Sequence, residues 1–215
     1  MRGCVRRAVV GLGVMLGAVA VAAVEPDERE ASLRLAAKGR IELAFSPWND
    51  PEASLLAAID EARELILVQA YLFTSKPLAR GLIAAHRRGV RVEVLLDAES
   101  NRPRSFSVMP ELLAAGIPVA VETRYNIAHN KLMIFDPDGG SHAAVATGSY
   151  NFTRSARVAN AENMLILRGN SALVRAYADN WRRHRGEALA LRSLDDLPAR
   201  DGKRDGKRDG RESDR

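Results

Sequence analysis

Two short motifs contain the residue types that could carry out chemistry. They are IAHNKLMIFD at residues 127–136 and TGSYNFT at residues 147–153. His129 and Lys131 are two residues apart on a predicted strand, so their side chains should emerge on the same face. Ser149 and Asn151 repeat this spacing just beyond the end of the next predicted strand. An imidazole, an ammonium, a hydroxyl and a carboxamide can therefore converge on one point.

This set of groups suits a phosphodiester substrate. A neutral imidazole can attack phosphorus, while a lysine and neutral donors hold the non-bridging oxygens as negative charge builds on them. A serine-hydrolase triad of Ser149, His129 and an acid fits poorly, because the sequence has no GxSxG elbow. The simpler alternative is that Ser149 and Asn151 are turn residues and that Lys131 is a solvated surface lysine.

Together the two motifs resemble the signature of the phospholipase D superfamily, which is HxKx4D followed by GSxN. The matching residues are His129, Lys131, Asp136, Gly148, Ser149 and Asn151. The resemblance extends to QAYLFT at 69–74, to the AAHRRGVRV segment that follows and to AEN at 161–163, and it covers most of residues 45–185. It is strongest with small bacterial secreted or periplasmic endonucleases that carry one signature per chain. One departure is a slightly long link, PDGGSH, which indicates a surface turn.

The resemblance implies a covalent mechanism at a site shared by two signatures. One histidine forms a phosphohistidine and the other protonates the leaving oxygen; water then releases the product, with the second histidine acting as base. Because this sequence contains one signature and no second HxK, a complete site implies a homodimer with His129 of each chain at the twofold axis. The implied reaction needs no metal or cofactor, and the sequence shows no histidine and carboxylate spacing typical of a zinc site.

Two acidic residues complete the set of candidate catalytic residues. Glu162 matches the family glutamate that orients the imidazole, although it could also be an ordinary exposed acid. Asp136 matches the signature, but a structural role is expected because it lies at the opposite strand parity to His129. Gly148 is expected to serve the backbone turn rather than a ligand. The remaining histidines are interpreted as surface residues: His86, His142 and His184.

Strand-like and helix-like segments alternate along the chain and predict an α/β sandwich, in which a mixed β-sheet is flanked by helices on both faces. The predicted strands are Arg40–Phe45, Leu65–Tyr71, Val90–Leu96, Ile117–Val121, His129–Asp136, His142–Thr147 and Asn163–Leu167. The predicted helices are Pro51–Arg63, Lys76–Arg88, Ser107–Ala115 and Ser171–Arg185. Asn49 or Asp50 is available to cap the first helix, and the last three strands are expected to run partly antiparallel.

The two ends of the chain differ in composition from the predicted catalytic domain, residues 28–194. Residues 1–24 combine a basic start, an apolar run and small residues near Ala20–Ala23, which predicts a signal peptide and a periplasmic or secreted protein. An uncleaved N-terminal anchor is the alternative. The sole cysteine, Cys4, lies in this segment, so the mature chain would have neither a disulfide nor a catalytic thiol. Residues 195–215 contain the repeat DGKRDGKRDGRE and are predicted to be a disordered charged tail.

Charge and composition leave two substrate classes open. The chain has 215 residues and a net charge of +5, but without Arg2, Arg6 and Arg7 it has 29 basic and 27 acidic residues, a net charge of +2. Nucleic acid, DNA or RNA, is favoured by the short single-signature form and by arginines that could line a phosphate groove or could simply be solvated. They are Arg87, Arg88, Arg91, Arg102, Arg104, Arg124, Arg154 and Arg157. The aromatic content of 5% predicts weak sequence specificity.

A phospholipid headgroup is the alternative substrate. A lipid-cleaving enzyme would need an exposed apolar rim near the site, and the nearby candidates Phe152, Met133 and Phe135 are better explained as core residues. A protein that kept the fold but lost turnover is disfavoured by the intact set of candidate residues. The sequence therefore predicts a metal-independent, non-specific endonuclease that acts as a homodimer, with no stable membrane association after signal cleavage.

Overall fold

The computed structural model describes residues 31–103 and 107–199, and its centre is a mixed β-sheet. The strands are β1 Arg40–Ser46, β2 Leu65–Ala70, β3 Arg91–Asp97, β4 Val119–Glu122, β5 Lys131–Phe135, β6 Ala144–Gly148, β7 Glu162–Arg168 and β8 Leu189–Leu191. Their order across the sheet is β1-β7-β6-β5-β2-β3-β4-β8. The β2–β3 and β3–β4 pairs are parallel, and the other pairs are antiparallel. All of these strands lie in the compact unit that begins at Leu33.

Helices pack on both faces of this sheet, as the sequence predicted. They are α1 Pro51–Glu61, α2 Lys76–Arg87, α3 Met109–Ala114, α4 Arg154–Val158 and α5 Ser171–Glu187. Buried side chains of α1, α2 and α3 form one apolar cluster with the first face, and α5 forms a second cluster with the other face. The Trp181 indole of α5 is buried and donates a hydrogen bond to the Val68 carbonyl of β2 at 3.0 Å. The α/β fold class is therefore confirmed.

Local sequence signals explain where the helices begin. Asp50 caps α1 by accepting a hydrogen bond from the Ala53 amide at 3.2 Å, and Pro51 occupies the first turn. Ser75 caps α2 in the same way through the Leu78 amide at 3.2 Å. The central strands β2 and β5 are buried along their whole length, because both faces of the sheet are covered there.

One part of the sheet is not covered by any helix of the described residues. On the α5 face, Ile41, Leu43 and Phe45 of the edge strand β1 are 58%, 57% and 46% exposed. Ile41 and Leu43 stand opposite Leu167 and Leu165 of β7, which are half-buried. Since residues directly opposite each other in a sheet share a face, these five side chains form one continuous surface, here called the β1–β7 apolar strip.

The structure departs from the predicted elements in a few places. Strand β5 begins at Lys131, so His129 lies in the loop before it, and α4 and β8 were not predicted. The predicted tail boundary at Asp195 falls inside a helical turn, Leu194–Asp196, and Leu197 packs against the core. The predicted signal segment, 1–24, and residues 200–215 lie outside the described residues. No helix in the described part of the chain combines the length and apolar content that crossing a membrane requires.

Candidate active site

Five of the six candidate catalytic residues meet at one edge of the sheet. Ala70 at the end of β2 stands opposite Lys131 at the start of β5, and Gly148 at the end of β6 stands opposite Met164 near the start of β7. This strand arrangement brings together His129, Lys131, Ser149, Asn151 and Glu162. The first and second motifs are therefore neighbours in the fold, as their spacing predicted.

The backbone around His129 is fixed by hydrogen bonds although its side chain is exposed. The amide of Ala128 donates to the buried carboxylate of Asp97 at 2.9 Å. The Lys131 ammonium donates to the His129 carbonyl at 2.8 Å. These bonds hold the loop in front of β5, and they explain why the strand does not extend back to His129.

Lys131 is 7% exposed, which is unusual for a lysine. Burial lowers its pKa from the ordinary value, and the nearby carboxylate of Glu162 partly opposes this by attraction. The ammonium also lies 5.0 Å from the centroid of the Tyr71 ring, which is within the range of a cation–π contact. A positive charge is thus placed beside His129, an arrangement that can bind a phosphate oxygen.

Ser149 and Glu162 form a hydrogen-bonded pair next to this lysine. The Ser149 hydroxyl donates to Glu162 Oε2 at 2.6 Å and accepts from the Asn163 amide at 3.0 Å. The other carboxylate oxygen, Oε1, accepts from Asn160 Nδ2 at 2.9 Å. Among the described residues no hydrogen bond joins Glu162 to the His129 ring, so an orienting role for Glu162 stays a prediction.

Gly148 allows Ser149 to reach this position. Its φ is 155°, and a Cβ there would lie 2.3 Å from the Asn163 carbonyl oxygen. That close approach lets the amides of Ser149 and Tyr150 both donate to the Asn163 carbonyl, at 3.0 and 3.2 Å. Gly148 therefore serves the backbone, as expected from the sequence.

Asn151 and the cluster behind it complete the second motif. Asn151 Oδ1 is buried and has no hydrogen-bond partner in the described residues. The neighbouring Tyr150 is 1% exposed, and burial raises the pKa of its hydroxyl well above the usual range. Beside it, Arg157 binds Asp50 at 2.6 Å and the buried Glu52 at 2.9 Å. This ion-pair cluster joins α1 to α4 and fixes the segment that carries Asn151.

Asp136 lies at the far end of β5 and takes no part in this arrangement. Its buried carboxylate accepts hydrogen bonds from the amides of Arg63, Glu64 and Leu65 at 2.9, 2.8 and 2.9 Å. Its φ of 45° places it in the left-handed region, which aspartate tolerates better than most residues. The structure thus gives Asp136 the structural role that strand parity predicted.

Several of the arginines predicted to line a phosphate groove are neutralised by acids. Besides Arg157, Arg124 binds Glu187 at 2.7 Å and Arg102 binds Glu99 at 2.7 Å. Arg154, at the start of α4, is exposed and takes part in no ion pair of residues 31–103 and 107–199. Arg104 lies outside the described residues. These three arginines thus have acidic partners within the described residues, and Arg154 is the candidate for phosphate binding that lies near the site.

The prediction that His184 is a surface residue was wrong. Its Nδ1 lies 2.6 Å from Oε1 of the buried Glu122, which also accepts from Gln69 Nε2 at 3.0 Å. His142 is exposed as predicted, and His86 is half-buried. Within the described ranges, no group of three or more histidine, cysteine, aspartate or glutamate side chains could hold a metal ion.

Residues 55–184 match a family model described as a cardiolipin synthase, PLD-like domain. The match includes all the candidate residues from His129 to Glu162. The chain belongs to the phospholipase D superfamily. The protein is therefore an enzyme that hydrolyses phosphodiester bonds. The imidazole of His129, the ammonium of Lys131 and the hydroxyl of Ser149 agree with that chemistry.

Relatives of this phospholipase D superfamily protein carry different names. The chain is similar to the phospholipase D of Rickettsia bellii, with 34% identity over 156 residues, 73% of this chain and 74% of the relative. It is also similar to the mitochondrial cardiolipin hydrolase of Xenopus laevis, with 32% identity over 129 residues, 60% of this chain and 58% of the relative. Among solved structures, the phospholipase D family member Nuc from Salmonella typhimurium superposes with a TM-score of 0.68 and 29% identity, covering 73% of this chain and 100% of Nuc.

Sequence reasoning did not identify two residues that hold the first motif. Asp97 anchors the loop before His129, and the Tyr71 ring lies against the His129 ring with centroids 4.5 Å apart. Both residues stand at the carboxyl ends of predicted buried strands, where site residues of α/β folds commonly lie. That position was the available signal.

Proposed function

We propose that this superfamily member is a non-specific endonuclease that cleaves DNA or RNA through a covalent phosphohistidine at His129, in a site completed by a second copy of the chain. The observation that carries the proposal is one set of phosphate-binding groups around one exposed histidine. The single signature supports a nucleic-acid substrate, and the superposition covers the whole Nuc chain. The exposed Arg154 adds positive charge near the site.

The proposed reaction has two steps. A ring nitrogen of His129 attacks phosphorus while the bond from phosphorus to the leaving oxygen breaks, and the histidine of the second copy gives that oxygen a proton. Lys131 and Ser149 hold the non-bridging oxygens as charge develops on them. Water then attacks the phosphohistidine, the second histidine takes its proton, and the nitrogen–phosphorus bond breaks to release the product and free His129.

The β1–β7 apolar strip supports the homodimer. The strip runs along β1 to Phe45, which stands opposite Asn163, and the Asn163 amide binds the Ser149 hydroxyl. The apolar surface is therefore continuous with the catalytic edge. Burying such large apolar side chains contributes about 1.5–3 kcal/mol each. A second copy packed here about a twofold axis would cover the strip and bring the two catalytic edges together.

Leu43→Asp tests this interface. Sedimentation of the full chain should give a dimer for the wild type and a monomer without activity for the variant, because a charge in an apolar interface is strongly unfavourable. Leu33→Asp is the matched control, since Leu33 is 75% exposed and lies outside the strip. A Leu43→Asp protein that stays dimeric and active would show that the strip is not the interface.

A phospholipid headgroup is the second candidate substrate, and one observation favours it. Trp48, just after β1, is 82% exposed, and Ile127, two residues before His129, is 58% exposed. Both lie at the catalytic edge, so an apolar rim exists there although Met133, Phe135 and Phe152 are buried in the core as the sequence suggested. The names of the Rickettsia and Xenopus relatives point the same way.

The deciding experiment measures cleavage of plasmid DNA, single-stranded RNA and phosphatidylglycerol vesicles by the full chain in excess EDTA. His129→Ala should abolish activity, whereas His142→Ala, a change in an exposed histidine remote from the site, should not. Nucleic-acid cleavage that survives chelation supports the proposal. Headgroup release without nucleic-acid cleavage would select the lipid substrate, and cleavage that requires added metal would contradict the mechanism.

A further inference from the structure

We infer that Tyr71 is a positioning residue for the nucleophilic histidine. Its ring packs against the His129 imidazole and limits the rotamers of that side chain. The same ring faces the Lys131 ammonium. The inference rests on the proposed function in that His129 is taken to be the nucleophile. The contact itself is a property of the folded chain and can be measured without substrate.

The geometry of the two rings is that of a direct contact. The centroids of Tyr71 and His129 are 4.5 Å apart and the ring planes are inclined by 55°. This distance is at the close end of the range for favourable aromatic pairs. The Glu162 carboxylate binds Ser149 and Asn160, and among the described residues the ring contact of the His129 imidazole is with Tyr71.

Tyr71 is itself held firmly at the end of β2. Its amide donates to the Asn130 carbonyl at 2.7 Å, immediately after His129. Its carbonyl accepts from Nδ2 of Asn101 at 2.8 Å. Asn101 is 3% exposed and also accepts from the Phe73 amide at 2.9 Å, so the chain is fixed on both sides of the tyrosine.

The buried Asn101 side chain also helps to fix the chain on the other side of His129, through Asp97. Asn101 Nδ2 also donates to the Asp97 carbonyl at 3.0 Å, and the Asp97 carboxylate binds the Ala128 amide. Asp97 and Asn101 therefore fix both the loop that carries His129 and the strand end that carries Tyr71. This connection sets the distance between the two rings.

An exposed histidine without a packed ring beside it would sample several rotamers, and only some of them aim a ring nitrogen at phosphorus. Holding the imidazole in advance places the nucleophile for attack and so raises the rate of the covalent step. From the strength of aromatic pairs, we expect loss of the ring to lower kcat about three- to tenfold while KM changes by less than about twofold. Tyr71→Phe keeps the ring and should retain activity.

The test compares Tyr71→Phe and Tyr71→Leu in the full chain, with Tyr177→Leu as the matched control. Tyr177 is half-buried on α5 and packs against the second apolar cluster, which contains neither His129 nor Tyr71. Hydrolysis of bis(p-nitrophenyl) phosphate gives kcat and KM for a diester that belongs to neither natural substrate class. Spectra of the chain labelled with 13C-histidine report the His129 ring directly, and His129→Ala assigns its signal among the four histidines.

The His129 ring protons should show a ring-current displacement in the wild type and in Tyr71→Phe, and lose it in Tyr71→Leu, while the other histidine signals stay in place as a check of folding. If Tyr71→Leu does not fold, Tyr71→Met replaces it. An unchanged His129 signal or an unchanged kcat in the variant without the ring would overturn the inference, as would equal impairment of Tyr71→Phe. A wild-type chain that shows the displacement but hydrolyses no diester would instead count against the proposed function.

Discussion

The Asp136 carboxylate offers a sharp test of the separation between structural and catalytic parts of the signature. In Asp136→Asn the retained oxygen can still accept the amides of Glu64 and Leu65, but the Arg63 amide would face an NH2 group instead of Oδ2. Leaving a buried or half-buried donor unsatisfied costs about 1–3 kcal/mol, and Asn tolerates the positive φ. We therefore expect the free energy of unfolding to fall by about 1–2 kcal/mol, and by about 3–5 kcal/mol in Asp136→Ala, which orphans all three amides.

Urea unfolding of the full chain measures this loss, and initial rates per folded molecule measure catalysis. The rate should stay within about twofold of the wild type, because Asp136 lies at the other end of β5 from Lys131. Asp138→Asn is the control. The Asp138 side chain is 71% exposed, and its ion pair with Arg182 is long, at 3.9 Å, so its loss should change stability little. An Asp136→Asn enzyme of wild-type stability whose rate falls more than about tenfold would refute the reasoning, because it would place this carboxylate in the chemistry.

Three further predictions follow from the site. Gly148→Ala forces a Cβ to within 2.3 Å of the Asn163 carbonyl oxygen, and we expect a loss of about 1–3 kcal/mol in unfolding experiments, with a larger fall in kcat because Ser149 is displaced. Lys131→Met should be at least as stable as the wild type, because a buried cation is removed, yet its kcat should fall about 10²-fold or more. For Asp50, burial alone would raise the pKa, but hydrogen bonds from Arg157 and from the backbone lower it below the ordinary value. The ionised Asp50 carboxylate therefore stabilises the fold above about pH 4, and this stabilisation is lost as the pH falls through the lowered pKa. The difference in unfolding free energy between wild type and Asp50→Ala should therefore shrink below pH 4, and a difference that grows on acidification would contradict this.

The parts of the fold that the sequence predicts well are those with long, continuous patterns. Strands β2 and β3 are apolar runs of ordinary length, and α5 has an apolar stripe at helical spacing, so each was placed to within about two residues. The proximity of the two motifs followed from the matching two-residue spacing of their polar side chains, and the family resemblance implied it as well. By contrast, α4 has 5 residues and β8 has 3, and such short elements do not show a recognisable hydrophobic periodicity in the sequence.

The remaining errors have tertiary causes. His129 fits a strand by pattern, but the Asp97 carboxylate captures the preceding amide and holds the segment in a loop. His184 looks like one basic residue among several on a solvated helix end, yet the buried Glu122 lies opposite it on β4. Arg157 was interpreted as either a phosphate-groove residue or a solvated one, and instead it binds Asp50 and Glu52 at the start of α1. Each partner is distant in sequence, and local patterns hold no information about such pairs.

The uncovered edge of the sheet has a consequence for the single chain. Within residues 31–103 and 107–199, β1 is the outermost strand, so the sheet formed there leaves its outer row of backbone amides and carbonyls unpaired. Alternate side chains beside that row are apolar. A long apolar edge of this kind is a template for strand addition and aggregation. Pairing of two copies across the β1–β7 apolar strip would shield this edge at the same time as it completes the site, so solubility and activity would be gained in one assembly step. Specific activity per chain should then fall on dilution, and dilute or partner-deficient protein should aggregate more readily than assembled protein.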